Sequence, residues 1–323
     1  MTRDVLFRLH IAILAGGWSD ERNISMESGQ HCLEALTEAG FKDLTLFNVA
    51  DHDFIDRFSA GHFDFAFITM HGRYGEDGCI QGFLETIHIP YTFSGVLASA
   101  LGNDKVAAKV MYRNAGIPVP RGETVDISAA DDSETIDHLI EELSFPIFVK
   151  PSANGSSYGV TRVNKHEELP LAIKKAAAEG DRVLVEQCIE GTEITVPVIG
   201  TEDPQVLPIV EVVFDNADYY DVSVKSEPAS LHHIIPARLT DEETRLASDY
   251  ATKAHKALGC RGTSRSDFIV TKEGIPYILE TNMIPGMTKR SLLPDSAERA
   301  GIPFSELCTR FVEWGLKESV HEK

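Results

Sequence analysis

The stretch "FVKPSANGSSYG", Phe148 to Gly159, runs from an apolar strand into a loop of small polar residues around one lysine, Lys150. Small side chains let backbone N–H groups approach a ligand closely, and a lysine at the mouth of such a loop points to an anion, with phosphate the first candidate. A second stretch, "SRSDFIVTKEGIPYILETN", offers oxygen ligands. With Glu273-Gly274 as a two-residue hairpin turn, Asp267 faces Glu280 and Arg265 faces Asn282, all four on one side of the ribbon. Opposed carboxylates repel unless a cation lies between them, and this donor set suits Mg²⁺ that also binds nucleotide phosphates. The same residues fit an arrangement without metal, one carboxylate pairing with Arg265 and the other facing solvent. Spacing alone leaves both open, because a different turn would change the register.

These groups need elements to carry them. "HIAILAGG" reads as a strand ending in a glycine turn, "SGQHCLEALTEAG" as a helix with Cys32, Leu33 and Leu36 on one face and Gly40 closing it, and "FDFAFITMHG" as another strand. Such alternation predicts a parallel sheet flanked by helices, with ligands beyond the strand C-termini, where Gly16-Gly17 and His71-Gly72 fall. "GNDKVAAKVMYRNAGIPVP" predicts a helix capped by Asn103 or Asp104, with Val106, Val110 and Met111 facing inward. Strands dominate from "FPIFVKP" to "PQVLPIVEVV", and Phe214 to Ile235 is long and irregular enough to form a lid. "DEETRLASDYATKAHKALG" predicts an amphipathic helix ending at Gly259.

At 323 residues the chain is long enough for two or three domains. Its net charge of −20 argues against nucleic acid or an anionic membrane surface as the main partner. The five cysteines, Cys32, Cys79, Cys188, Cys260 and Cys308, form no CxxC pair and read as reduced thiols. No apolar run is long enough to span a bilayer, and Arg8 and His10 interrupt the apolar start that would otherwise pass for a secretion signal. A cytoplasmic protein is expected. GxxxxGK[ST], GxGxxG opening a helix after a strand, and a kinase-like HRD…DFG set are missing, so phosphates must be held by strand lysines and a glycine-serine loop.

Seven segments occur in order at suitable separations: "GGWSDERNISMESG", "HGRYGEDGCIQG", "YTFSGVLASALGNDK", "VKPSANGSSYGV", "LVEQCIEGTEITV", "SRSDF" and "LETNMIPGMTKRSLLP". Together they closely resemble the D-alanine–D-alanine ligases of the ATP-grasp superfamily, over about residues 10 to 310. The resemblance implies a mixed α/β, three-domain ATP-grasp fold with an N-terminal parallel-sheet domain over 1–95. A central subdomain with the glycine-rich loop would span 96–187, and a C-terminal one with the lid and metal site 188–323. It implies ATP and Mg²⁺ (with Mn²⁺ as a substitute), D-alanine as substrate, a homodimer, and a place in peptidoglycan precursor synthesis.

Carried over residue by residue, Lys150 and Lys105 resemble the lysines on the ATP phosphates, and the loop holding Ser156 and Ser157 the cover that closes over them. Glu186 resembles the acceptor for the adenine amine, backbone groups of Gln187 and Ile189 would line the base, and Glu193 resembles the ribose ligand. Asp267, Glu280 and Asn282 match the Mg²⁺ ligands. Arg265 and the Gly286 N–H resemble the donors to the oxyanion of the tetrahedral intermediate. Glu21 resembles the residue that binds the first D-alanine's ammonium, with Ser156 as its hydrogen-bonded partner and His71 nearby. Ser291 and Leu292 match the site of the second substrate's carboxylate, and Lys225 would reach the γ-phosphate. Taken alone, each has an ordinary reading: Glu21 as a helix-start carboxylate, Lys105 as an exposed first-turn residue, Glu186 as a strand-edge carboxylate, Arg265 as a structural partner of Asp267, His71 as a structural histidine.

One departure lies in the lid, "DYYDVSVKSEP", where Ser226 follows Lys225 in place of the tyrosine of the family's Glu–Ser–Tyr network. That region helps select D-alanine, D-serine or D-lactate as second substrate. A ligase with another second substrate and a non-catalytic nucleotide-binding homologue are the two alternatives. Trp18, beside the glycine turn, has no assigned part.

Overall fold

The computed structural model describes residues 2–153, 159–180, 182–214 and 231–321. After a single helical turn, α1 (Arg3–Leu6), the chain builds β1 (His10–Ala15), α2 (Arg22–Ala39), β2 (Asp43–Asn48), α3 (Phe54–Gly61) and β3 (Phe65–Ile68). The sheet order is β2-β1-β3, all parallel, as the alternation predicts. Cys32 and Leu36 of α2 are fully buried and Gly40 closes the helix at φ 112°, a conformation that only glycine adopts cheaply. Beyond β3, α4 (Cys79–Thr86) and α5 (Val96–Asn103) lead to α6 (Lys105–Asn114).

The polypeptide then forms β4 (Gly122–Val125), α7 (Ser133–Leu143), β5 (Ile147–Pro151), β6 (Thr161–Val163), α8 (Leu169–Ala177) and β7 (Val183–Gln187). These strands make an antiparallel sheet in the order β4-β7-β5-β6, with its own apolar core that includes Ile136, Leu139, Val149, Ile173 and Val185. A third sheet, β11-β10-β8-β12-β13, with β9 on β8, is also antiparallel. It uses β8 (Thr192–Ile199), β9 (Gln205–Val206), β10 (Val210–Phe214), β11 (Leu231–Ile234), β12 (Thr263–Val270) and β13 (Pro276–Asn282). The helix α9 (Asp241–Leu258) packs on it, opened by a Thr240–Glu243 capping box and closed by Gly259 at φ 73°. The described chain ends with α10 (Leu292–Arg299) and α11 (Phe304–His321).

Two expectations are corrected. The first concerns α6. Asp104 is its cap, accepting from the N–H groups of Val106 and Ala107, but the buried side chains are Ala108, Lys109 and Tyr112, while Val110 is 49 % exposed. The helix lies against polar partners on two sheets, and those contacts set its inward face.

The second concerns the hairpin turn. Val270 pairs with Pro276 and the Gly274 N–H donates to the Thr271 carbonyl at 2.9 Å, so the loop is longer than two residues, with Gly274 at φ 76°. That alone would shift every pair by one. A bulge between Asp267 and Phe268 shifts the register back, so Asp267 does face Glu280 and Arg265 does face Asn282. All five cysteines are free. Among the described residues no helix is long and apolar enough to cross a membrane.

Candidate active site

The third sheet brings one cluster of charges to its β12–β13 edge. Arg265 grips Asp267 side-on, Nε to Oδ1 at 3.1 Å and Nη2 to Oδ2 at 3.0 Å, and Thr195 of β8 donates to the same carboxylate. Glu280 pairs with Lys105, the first residue of α6, at 3.0 Å. Asn282, oriented by its partners, accepts from Arg265 at 3.1 Å and donates to Glu76 at 3.0 Å. The two opposed carboxylates are thus each answered by a cation of the chain itself. Among the described residues no three His, Cys, Asp or Glu side chains gather as a metal cluster. Two carboxylates and one carboxamide oxygen remain, a hard-oxygen set that leaves positions for water and phosphate; this fits Mg²⁺ and not a zinc site.

On the antiparallel β4–β7 side, Lys150 at the end of β5 meets Glu186 of β7. The Glu186 carboxylate is 1 % exposed, and its other oxygen lies 2.8 Å from Lys109 Nζ, an ion pair without hydrogen-bond alignment. Burial alone would raise the Glu186 pKa, but Lys109 and Lys150 outweigh it and hold it down at about 2. For Lys109, burial lowers the ammonium's pKa and Lys150 adds to that, against the pull of Glu186. Glu186 is therefore no strand-edge surface group. The Gln187 N–H is committed to the Arg121 carbonyl at 2.8 Å, so that donor is engaged within the protein. Glu193 lies half-buried on β8, opposite Ile269 of β12.

The parallel sheet contributes the third part. Glu21 caps α2 without a side-chain cap bond, and its carboxylate abuts Gly72, where a Cβ would come within 3.1 Å of Oε2. His71 is buried, 3.7 Å from Glu76 and 3.4 Å from Ser28, whose hydroxyl accepts from the Met287 N–H. Burial opposes a charged His71, yet Glu76 and Glu21 more than offset that and raise its pKa. Met287 follows Gly286, and Gly286 packs on Ser291, the N-cap of α10, whose Oγ accepts from the Thr288 N–H at 3.0 Å. Leu292 is buried beside it.

Predicted residues from different segments therefore meet, Lys150 with Glu186, Lys105 with Glu280 and Arg265 with Asn282, and two predicted pairs are local, Arg265 with Asp267 and Gly286 with Ser291. Ser156, Ser157, Lys225 and Ser226 lie outside the described residues. Lys109, Glu76 and Thr195 were not anticipated. Lys109 stands four residues after Lys105 on the same helical face, a signal that the sequence does contain. Trp18 is 64 % exposed, its ring edge-on to Tyr74 at 5.8 Å.

The D-ala D-ala ligase C-terminus family matches residues 111–313, and the corresponding N-terminus family residues 48–94. The D-alanine–D-alanine ligase of Desulforamulus reducens is 40% identical over 313 residues, covering 96% of this chain and 99% of the relative. The chain belongs to the D-alanine–D-alanine ligase family. Its fold is accordingly the ATP-grasp fold, with the parallel sheet at the N-terminus. Among solved structures, the D-alanine–D-alanine ligase of Bacillus anthracis complexed with ATP is 31% identical with a TM-score of 0.83, covering 98% of this chain and 100% of that one. A D-Ala:D-Ser ligase from Enterococcus faecalis is 26% identical with a TM-score of 0.81, covering 95% and 99%. In this member of the family Lys105, Lys109 and Lys150 meet their carboxylates across elements, while Arg265 meets Asp267 within β12.

Proposed function

We propose that the protein is an ATP-dependent ligase that joins two D-alanine molecules into D-alanyl-D-alanine, releasing ADP and phosphate, for peptidoglycan precursor synthesis. The observation that carries the reading is the 3.0 Å pair between Lys105 and Glu280. A candidate phosphate cation and a candidate metal carboxylate meet at one point, and a metal–triphosphate can replace each with a partner of the same sign. Family membership supports the same activity.

In this reading the carboxylate oxygen of the first D-alanine attacks the γ-phosphorus of ATP, and ADP leaves. The amine of the second attacks the acyl carbon of the resulting acyl phosphate, the nitrogen loses a proton, and inorganic phosphate departs. Lys150, Lys105 and Lys225 offset charge on the phosphates, with positioning and electrostatics supplying most of the catalysis. Asp267, Glu280 and Asn282 would hold Mg²⁺ (or Mn²⁺), which when bound neutralises phosphate charge. Arg265 and the Gly286 N–H stabilise the oxyanion. Glu186, Gln187, Ile189 and Glu193 hold the nucleoside, and Ser157 is assigned to the phosphates. Glu21, Ser156 and His71 orient the first D-alanine, and Ser291 and Leu292 the second. We assign the domains to 1–95, 96–187 and 188–323, and the assembly to a cytoplasmic homodimer.

Incubation with ATP, Mg²⁺ and D-alanine as sole amino acid tests the reading: ADP release with a dipeptide detected by mass supports it, and ADP release without dipeptide refutes it. A second reading, D-serine or D-lactate as second substrate, is favoured by Ser226 in the lid. It wins if either, added with D-alanine, yields the mixed product in preference to the dipeptide.

A further inference from the structure

Lys105, Lys109 and Tyr112 stand at i, i+4 and i+7 on α6, hence on one face. Each ends on a different partner: Lys105 on Glu280, Lys109 on Glu186, Tyr112 on Thr281. Lys105 and Lys150 belong to the reading above. Lys109 does not, yet it is the most deeply buried cation of the three, 2 % exposed and fixed in the middle of a helix.

We propose that Lys109 is a positioning residue for the nucleotide: as the resident counter-ion of Glu186, it frees Lys150 to move from that carboxylate to a phosphate. This rests on the proposed function, in which Lys150 serves the triphosphate. Both lysines contact Glu186, one on each oxygen. A buried carboxylate tolerates losing one cation only if the other stays. Lys150 stands at the end of β5 with its side chain 11 % exposed, so its ammonium has a way out of the pair. Lys109 is enclosed, and it remains. Glu186 then keeps its charge and offers the oxygen that Lys150 leaves to an amine donor at the same time as Lys150 turns to the phosphates.

Without Lys109, Lys150 becomes the sole partner of a buried carboxylate, and ATP must compete with Glu186 for it. The penalty therefore falls on nucleotide binding. Lys109→Met keeps the length and removes the charge; KM for ATP rises about tenfold or more, while KM for D-alanine stays within about twofold. Lys109→Arg restores KM for ATP to within about threefold of wild type. A purely structural lysine would lower the active fraction, and so kcat, with KM for ATP unchanged.

The test compares wild type, Lys109→Met, Lys109→Arg and Lys109→Met/Glu186→Gln, by steady-state kinetics and by calorimetric titration with MgADP. The double variant removes both buried charges, so it folds where Lys109→Met alone fails to, and it binds MgADP more tightly than Lys109→Met. Equal KM for ATP and equal MgADP affinity in wild type and Lys109→Met overturns the inference, as does a KM for ATP in Lys109→Arg raised about tenfold or more above wild type. A wild type that binds no MgADP would instead overturn the functional reading on which the inference rests.

Discussion

The hydroxyl of Tyr112 on α6 donates to Thr281 Oγ1 on β13 at 2.7 Å, in a fully buried layer beneath the charged hairpin face. Thr281 in turn lies 2.9 Å from Ser266 Oγ on β12. Both hydroxyl residues sit between members of the charged set, Ser266 between Arg265 and Asp267, Thr281 between Glu280 and Asn282. Strand alternation therefore sends hydroxyls down and charges up. The layer ties the helix that bears Lys105 to the strand that bears Glu280. Tyr112→Phe removes one bond and leaves Thr281 with Ser266, at a cost of about 1 kcal/mol. Thr281→Val strands two buried hydroxyls and costs more. Urea unfolding of both variants checks the order; a larger loss in Tyr112→Phe would contradict it.

Glu280→Gln keeps the shape of the side chain but removes the charge that answers Lys105 and the second carboxylate of the oxygen set. Turnover should fall by on the order of a hundredfold or more, with the circular dichroism spectrum unchanged. ADP formation at saturating ATP, titrated with Mg²⁺, is the measurement. Near-normal turnover at ordinary Mg²⁺ would remove Glu280 from the metal set.

The hairpin also shows how sequence reading works and where it stops. Alternation of apolar strands and glycine-capped helices was enough for the parallel sheet, because each of those signals is local. The pairing of Asp267 with Glu280 was also predicted, but through a turn that the chain does not use. The longer loop ending at Gly274 and the bulge after Asp267 cancel, and neither leaves a mark that spacing can reveal. The inward face of α6 escaped for a different reason. A lysine in a helix ordinarily keeps its charge in water, and only the distant Glu186 makes burial of Lys109 affordable. Glu76 likewise acquires meaning through His71 and Asn282, which come from other segments. Partners far apart along the chain are what a single sequence hides.

Glu186 gives the fold an acid dependence whose sign is fixed. Its folded pKa, about 2, lies below the ordinary 4.5, so the unfolded chain takes up the proton first as pH falls. The stabilisation is complete above about pH 4.5 and is lost as pH falls towards 2. Full titration corresponds to on the order of 3 kcal/mol. Urea midpoints compared at several pH values across that window should fall less steeply for Lys109→Met/Glu186→Gln than for wild type. Parallel curves would mean that the buried pair does not govern the acid limb.

Gly286 is placed so that a methyl group is felt at once. A Cβ there would come within 2.8 Å of Ser291 Oγ, and that hydroxyl is already held by the Thr288 N–H at 3.0 Å and the Thr288 hydroxyl at 2.9 Å. Gly286→Ala must push Ser291 off Thr288 or shift the backbone whose N–H is assigned to the oxyanion. If Ser291 holds the second substrate's carboxylate as proposed, the first route appears as a raised KM for that substrate. The second removes a transition-state donor and lowers kcat by about a hundredfold, because such a donor acts only where charge develops. Steady-state kinetics with varied D-alanine separates the two routes, while the overall fold, and the melting temperature with it, changes little since the contact is local. Unchanged kinetics in Gly286→Ala would show that neither Ser291 nor this stretch of backbone lies against the reacting groups.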